Sequence, residues 1–454
     1  MLGRNAVTFV QPEATREMTM REIRAAAGLA IFVAVGLSPG AGVSAQEILQ
    51  LPGEDRPLGL ERQEVYALGG VEAMDWDAFS RVGAVAFDGA GNLYIQDVDS
   101  RRLIVVAPDG RFLRQLIRIG DGPGEISSPA GFGVTPGGEV AIVDMGRRSL
   151  AWFGPDGSFL ESRPFDPQRD GVPGGRLEPH PDGGFVFLQR GMMVQRGPGG
   201  GPPPPPTSWP IRRVSDRTEA ESGSWPILFE AWRHVPGEAG RGAGPGVAGG
   251  PGGGAIRLPS GLGPRVFDPD PSFGVLPEGR IVVADTVTWK VRLIGAEGQV
   301  EGVAARPFRP RAVTEQDRRA ERERRRAEIE AGGGPRIEVR TMGPGGSGAV
   351  DQSAIRQALL AQIDELEFAP EMPVLHRIAV DGQGRIWAAR RGPGANDPGP
   401  VDVLTSRGTY IGTLPPFERE MPAAFGPDGL AAFVETDEMD VPVIRVERLR
   451  LLPR

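Results

Sequence analysis

The chain has 454 residues, with 51 basic and 59 acidic side chains, a formal net charge of -8, 67 glycines, 45 prolines and no cysteine. An acidic surplus disfavours a nucleic-acid partner, and a chain without cysteine has no disulfide, no thioether-linked lipid anchor and no thiol nucleophile. The length suits one large β domain or two to three ordinary ones.

The first element reads as an address. Arg21 and Arg24 precede an apolar stretch from Ala25 to Leu37, followed by Ser38-Pro39-Gly40 and then Val43-Ser44-Ala45 before Gln46. A basic flank, a short apolar core and a small-x-small site make a secretory signal. The 13 apolar residues fall short of the roughly 20 that a spanning helix requires. Residues 1–45 are therefore expected to be a removed signal peptide, leaving a soluble mature chain from 46 to 454 in a periplasm or outside the cell, with no membrane span. The signal carries four Arg and three Glu, so its removal takes the net charge from -8 to about -9.

Gln63 to Leu68 follows as a lone apolar-alternating stretch. Next comes a segment that occurs twice: residues 83–117 lay over residues 130–164 at an offset of 47, with Leu93 on Val140, Asp97 on Asp144 and Asp109-Gly110 on Asp156-Gly157. A repeat of this length is one supersecondary unit that cannot bury its own faces. Within each copy, apolar runs end at an acid or at Pro-Asp-Gly, and the Asp-Gly step signals a hairpin because Gly accepts positive φ. Each copy is an antiparallel meander, the form of a propeller blade. Weaker copies anchor on Val186, Ile281, Ile386 and Ala431, giving successive spacings of 47, 46, 95, 105 and 45 and six units in all. The last unit supplies three strands, near Ala423, Leu430 to Glu435 and Val443 to Leu451. The Gln63–Leu68 stretch is expected to complete it, removing two sheet edges.

The segment IGDGPGEISSPAGFGVTPGGEVAIVD, Ile119 to Asp144, resembles the pattern of NHL-repeat six-bladed β-propellers, in which a Gly-Pro-Gly-acid turn precedes Pro, a short strand, a Gly and a strand ending in Asp. The resemblance extends through GRIWAARR. It implies an all-β, six-bladed, NHL-like propeller of an exported bacterial protein. Similar propellers serve as binding platforms, lyases and lactonases, so the resemblance specifies fold far better than function.

Two insertions interrupt the blades. Residues 191–263 contain GPGGGPPPPP and GEAGRGAGPGVAGGPGGG, tracts too rich in Pro and Gly to build a core and expected to be flexible loops. The island between them, Trp209 to Val235, is expected to carry the outer strands of the third blade, at Ile211–Val214 and Ile227–Trp232. Residues 312–368 are expected to be helical: TEQDRRAERERRRAEIEA has opposite charges at helical spacing, and VDQSAIRQALLAQIDELEF places Ile355, Leu359, Ile363 and Leu366 on one stripe. The first helix is expected to project and the second to pack on the propeller.

Two sets of residues could carry chemistry. Of the three histidines, His180, His234 and His376, the last aligns with Gly83 and Ala130 at the start of an innermost strand, near the channel mouth. The position closing the second strand of each blade holds Asp97, Asp144, Arg190, Asp285, Arg390 and Glu435. Read functionally, this is a charged girdle for a cation or polar ligand, because converging carboxylates suit hard metals. Read structurally, each carboxylate accepts backbone N–H bonds of a nearby turn. No G-x-S-x-G elbow, P-loop, H-E-x-x-H or EF-hand loop occurs. The expected function is an exported binding or scaffold module for an unidentified small molecule, glycan or protein, with no cofactor. The alternatives are a metal-dependent lyase or lactonase at the channel mouth, using a divalent cation, and an envelope assembly partner.

Overall fold

In each repeat the second strand is apolar on both faces, and the packing shows why. In Leu93–Asp97, Leu93 and Ile95 join a core with the last blade while Tyr94 joins a core with the second. In Val140–Asp144, Val140 and Ile142 face backward while Ala141 and Val143 face forward. Strand alternation sends successive side chains to opposite faces, so a strand sandwiched between neighbouring sheets must be apolar throughout. The anchors Leu93, Val140, Ile281, Ile386 and Ala431 are each at most 1% exposed. In the third blade the equivalent place is Phe185, one residue before Val186: the turn bond from the His180 N–H to the Gly184 carbonyl precedes Phe185, and Val186 faces forward to the fourth blade.

The computed structural model describes residues 47–167, 169–191, 207–215, 225–233, 246–247, 256–257, 265–330, 352–395, 397–418 and 420–453. They form a six-bladed β-propeller. Blade 1 comprises Val82–Phe87, Leu93–Asp97, Arg102–Val106 and Phe112–Gln115. Blade 2 comprises Pro129–Val134, Val140–Asp144, Ser149–Phe153 and Phe159–Pro164. Blade 3 has a two-residue inner strand, Glu178–Pro179, then Phe185–Gly191, Trp209–Val214 and Ile227–Ala231. Blade 4 runs Ser272–Val275, Ile281–Ala284, Lys290–Ile294 and Val300–Ala305. Blade 5 runs Leu375–Val380, Ile386–Arg391, Pro398–Leu404 and Tyr410–Leu414. Blade 6 has Ala424–Phe425, Leu430–Thr436 and Pro442–Pro453.

The ring closes through the N-terminal segment. Leu58–Gly69, twice the length read from the sequence, pairs antiparallel with Pro442–Pro453 as the outermost strand of blade 6. Tyr66 on this strand lies against the Asp109-Gly110 turn of blade 1. Gly110 has φ 85°, and a Cβ there would sit 2.8 Å from the Tyr66 ring, so geometry and space both require glycine. Earlier still, Glu47–Gln50 runs parallel to Val300–Ala305 as a fifth strand of blade 4, a pairing the sequence pattern did not announce.

The interval between Val186 and Ile281 completes blade 3 as expected, and Trp209–Val214 and Ile227–Ala231 are its outer strands. The Pro-rich tract lies outside the described residues; within the second Gly-rich tract, Gly246–Val247 pairs with Ile256–Arg257. The charged insertion forms helix α1, Glu315–Glu330, opened by a reciprocal cap: the Thr314 hydroxyl accepts from the Asp317 N–H and the Asp317 carboxylate accepts from the Thr314 N–H. Helix α2, Gln352–Asp364, packs against it, and Leu359, Ile363 and Leu366 line the groove between them. Arg318 and Arg322 of α1 stack over Phe368, which in turn stacks on Phe267. The expected projecting helix is therefore anchored along one face, because guanidinium groups stack on rings as well as pair with acids.

Candidate functional site

Antiparallel pairing places the start of each inner strand beside the end of the second strand: Val82 opposite Asp97, Pro129 opposite Asp144, Leu375 opposite Arg390. The strand-end positions do lie at one end of the ring, but their side chains serve their own blades. Asp97, fully buried, accepts from the N–H groups of Ser80 and Arg81 and from the Arg102 guanidinium at 2.8 Å. Burial pushes its carboxyl up, but Arg102, Arg81, Ser100 and Ser80 outweigh that and hold it below its usual range. Asp144 accepts four N–H bonds, from Ser127, Ser128, Gly146 and Arg147. Asp285 accepts from the Trp232 N–H at the end of blade 3 and pairs with Arg292. Glu435 sits 3.7 Å from Arg445. In blade 3 the register moves the strand-closing place from Arg190 to Gln189, whose side-chain oxygen accepts from Arg212 Nε at 2.7 Å; the side chain of Arg190 lies outside the described residues. The Asp97, Asp144 and Asp285 carboxylates are taken up by nearby N–H groups and arginines, so they tie strand ends together instead of converging on one point, while Glu435 keeps a side chain 24% exposed.

Arg390 belongs to a different network, at the boundary of blades 4 and 5. The Asp402 carboxylate is buried there, accepting from Trp289 Nε1 at 2.6 Å, Thr413 Oγ1 at 2.7 Å and Arg306 at 2.7 Å, with Arg390 Nε at 3.4 Å. Asp55, from the segment leading to the closing strand, bridges both guanidiniums at 3.0 Å and 2.7 Å. Arg306 stacks over Phe308 and Tyr410, and Arg390 over Phe308.

The histidines are separated. His180 caps the turn of blade 3: its Nδ1 accepts from the Asp182 N–H, which assigns Nε2–H as donor to the Gly279 carbonyl of blade 4 at 3.1 Å. His234 lies outside the described residues. His376 is the extra residue of a β-bulge, since the register slips between Leu375 and Arg377. Blades 1 and 2 slip at the aligned places, around Gly83 and Ala130. Bulges re-aim side chains, and here the imidazole Nδ1 is buried without a hydrogen-bond partner. Burial, then the charges of Arg391 and Arg377, push its pKa down to about 4, so it is neutral at neutral pH. Among the described residues no group of three or more His, Asp or Glu is placed to hold a metal ion.

The channel holds residues that the sequence reading missed. A cavity of about 240 Å³ is walled by the inner strands of blades 4, 5 and 6 and by residues 174–178 of blade 3. Its charged lining is Arg176, Glu178 and Arg377. Arg176 pairs with Glu178 and reaches across the ring to the Ala423 carbonyl at 2.9 Å. Arg377 donates to the carbonyls of Met421, Pro422 and Ala423 at 3.2, 2.9 and 3.2 Å. Burial holds its pKa below the usual arginine range, with the nearby Arg176 charge acting in the same direction. In the repeat alignment Arg377 falls on Ala84 and Gly131. An arginine where sister blades carry a small residue was the available signal.

No family model matches the chain, and no curated protein matches it. Solved structures do. A protein of Bacteroides fragilis described as exported is 11% identical, with 89% of this chain and 99% of that chain covered and a TM-score of 0.43. A member of the DUF4221 family from Bacteroides vulgatus is 10% identical, with 87% and 99% covered and a TM-score of 0.45. A catalytically inactive virginiamycin B lyase from Staphylococcus aureus, solved with quinupristin, is 11% identical, with 87% and 100% covered and a TM-score of 0.38. Likeness at this level carries no chemistry from those proteins to this one. No helix among the described residues is long and apolar enough to cross a membrane.

Proposed function

We propose that the chain is an exported, NHL-like propeller acting as a binding module, and that its binding place is the channel cavity bounded by blades 3 to 6. The observation that carries this reading is the contrast in how charges are used: Asp97, Asp144 and Asp285 are held by backbone N–H groups and by arginines of their own or the neighbouring blade, whereas Arg176, Glu178 and Arg377 line open space, Arg377 balanced there by neutral carbonyls. Concave sites with a few placed polar groups are where proteins hold small ligands. Export rests on the Arg-flanked apolar segment and Val43-Ser44-Ala45; N-terminal sequencing of the secreted product should return Gln46 or a close neighbour. Binding is tested by thermal unfolding against a panel of small acids, amides and amines. At least one class should raise the melting temperature saturably and be recovered chemically unchanged. Conversion of the compound, lost on His376→Ala or Asp144→Ala, would instead establish the lyase or lactonase alternative.

A further inference from the structure

The cavity is polar at one end and apolar at the other. The inner strands of blades 4, 5 and 6 begin at Ser272, Leu375 and Ala424 and end at Val275, Val380 and Phe425. Arg176 and Arg377 lie toward where the strands begin, and Glu178, the next-to-last residue of its short strand, turns its carboxylate onto Arg176; Val275, Val380 and Phe425 line the far end. The charged lining is two cations and one anion, a net charge of +1. Glu178 is committed to Arg176, with oxygens 3.0 Å from Nε and 3.1 Å from Nη2. Arg377 has no buried carboxylate of its own: Glu420, 4.0 Å away, has a side chain 79% exposed. Both guanidiniums donate to the same Ala423 oxygen.

A neutral carbonyl is a weak substitute for a carboxylate, since charge-assisted hydrogen bonds are about twice as strong as neutral ones. A guanidinium has five N–H donors, and the three carbonyl bonds of Arg377 leave donors for another acceptor. Two cations near each other in a poorly solvated channel repel more strongly than they would in water. An anion placed between them would relieve that repulsion.

We infer that this end of the channel binds the carboxylate of a small monoanionic acid whose apolar body lies along Val275, Val380 and Phe425, an assignment that rests on the binding reading above. A single negative charge matches the surplus. A phosphate, carrying nearly two charges, would also be forced beside Glu178. The volume of about 240 Å³ lies below the roughly 300–1,000 Å³ of drug-sized sites, so the acid is short.

Isothermal titration calorimetry on the mature chain tests this with hexanoate, butyrate, hexanamide, hexylamine and inorganic phosphate. Hexanoate should bind one to one, about four-fold more tightly per methylene than butyrate and at least ten-fold more tightly than hexanamide or phosphate. Arg377→Gln and Arg176→Gln should each weaken it at least ten-fold. Should a glutamine variant fail to fold, Arg377→Lys, which keeps the charge but loses the planar fork, should weaken hexanoate at least three-fold. Equal affinity for hexanoate and hexanamide, tighter phosphate, or insensitivity to the Arg377 variants overturns the assignment while leaving a binding module intact. No saturable binding of acid, amide or amine overturns both readings.

Discussion

Two pairs of arginines sit inside this propeller, and they differ in what surrounds them. Arg306 and Arg390, at the boundary of blades 4 and 5, share two carboxylates, Asp402 and Asp55, and stack on Phe308 and Tyr410. Arg176 and Arg377, in the channel, have no common carboxylate: Glu178 pairs with Arg176, the exposed Glu420 lies 4.0 Å from Arg377, and both otherwise meet backbone carbonyls and open space. The first pair is neutralised from both sides, and removing the buried Asp402 strands a buried charge, whereas Asp55 is 41% exposed. The second is under-neutralised, and an added anion would complete it. With Lys290 the sole lysine, nearly every cation in the chain is a planar, stackable guanidinium, so what separates structural from ligand-facing arginines is their surroundings, not their chemistry.

The harshest way to break the clasp is to delete residues 46–70. That removes Asp55, the added strand of blade 4 and the closing strand of blade 6, exposing a long sheet edge. The melting temperature should fall by on the order of 10 °C or more, or folding should fail. Asp55→Asn separates charge from closure: its side chain is 41% exposed, so it should cost about 1 kcal/mol or less. An equal loss from both would mean that closure contributes nothing.

Next in size is Asp402→Ala. It leaves the fully buried Arg306 guanidinium without its inner partner and should cost about 3–5 kcal/mol in urea unfolding. Binding of any channel ligand should be unchanged once the protein is folded. A loss under 1 kcal/mol would erase the distinction between the two pairs.

A pH effect of intermediate size belongs to His376, which lies between the channel Arg377 and Arg391. Its folded pKa of about 4 is below the ordinary 6.5. The unfolded chain therefore takes up the proton first, and stability present above pH 6.5 is lost as pH falls toward 4, by up to about 3 kcal/mol. Comparison of His376→Gln with the parent isolates this from the carboxylates: the variant should lose less stability between pH 6.5 and 4. Parallel curves would count against a buried neutral imidazole.

The fold was legible because its signals are local and recurrent. Leu93, Val140 and Ile281 each stand four residues before the acid that closes the strand, Asp97, Asp144 and Asp285, and each strand needs apolar character on both faces. The closing strand was legible from the alternation of Gln63 to Leu68, but Glu47–Gln50 was not, because its four-residue parallel pairing depends on where blade 4 leaves an edge. The site was less legible for the same reason. Asp97 and Asp144 attracted attention by recurring, and recurrence marks what every blade needs. Arg377 does not recur, and its meaning depends on Arg176, 201 positions away in sequence and brought near only by ring closure.

The smallest expected effect is the most discriminating for the comparison. Arg377→Gln removes a half-buried cation whose partners are carbonyls, and the amide NH₂ can still donate to one of them. Desolvation of the charge and repulsion from Arg176 disappear together, so the loss of hydrogen bonds is offset and stability should change by less than about 1 kcal/mol, in either direction. The matching change in the clasp, Arg306→Gln, breaks contacts to Asp402, Pro52 and Glu54 and should destabilise by several times as much. Urea unfolding of the two variants side by side checks the claim. Similar losses would mean that the channel pair is held as firmly as the clasp and serves the fold alone.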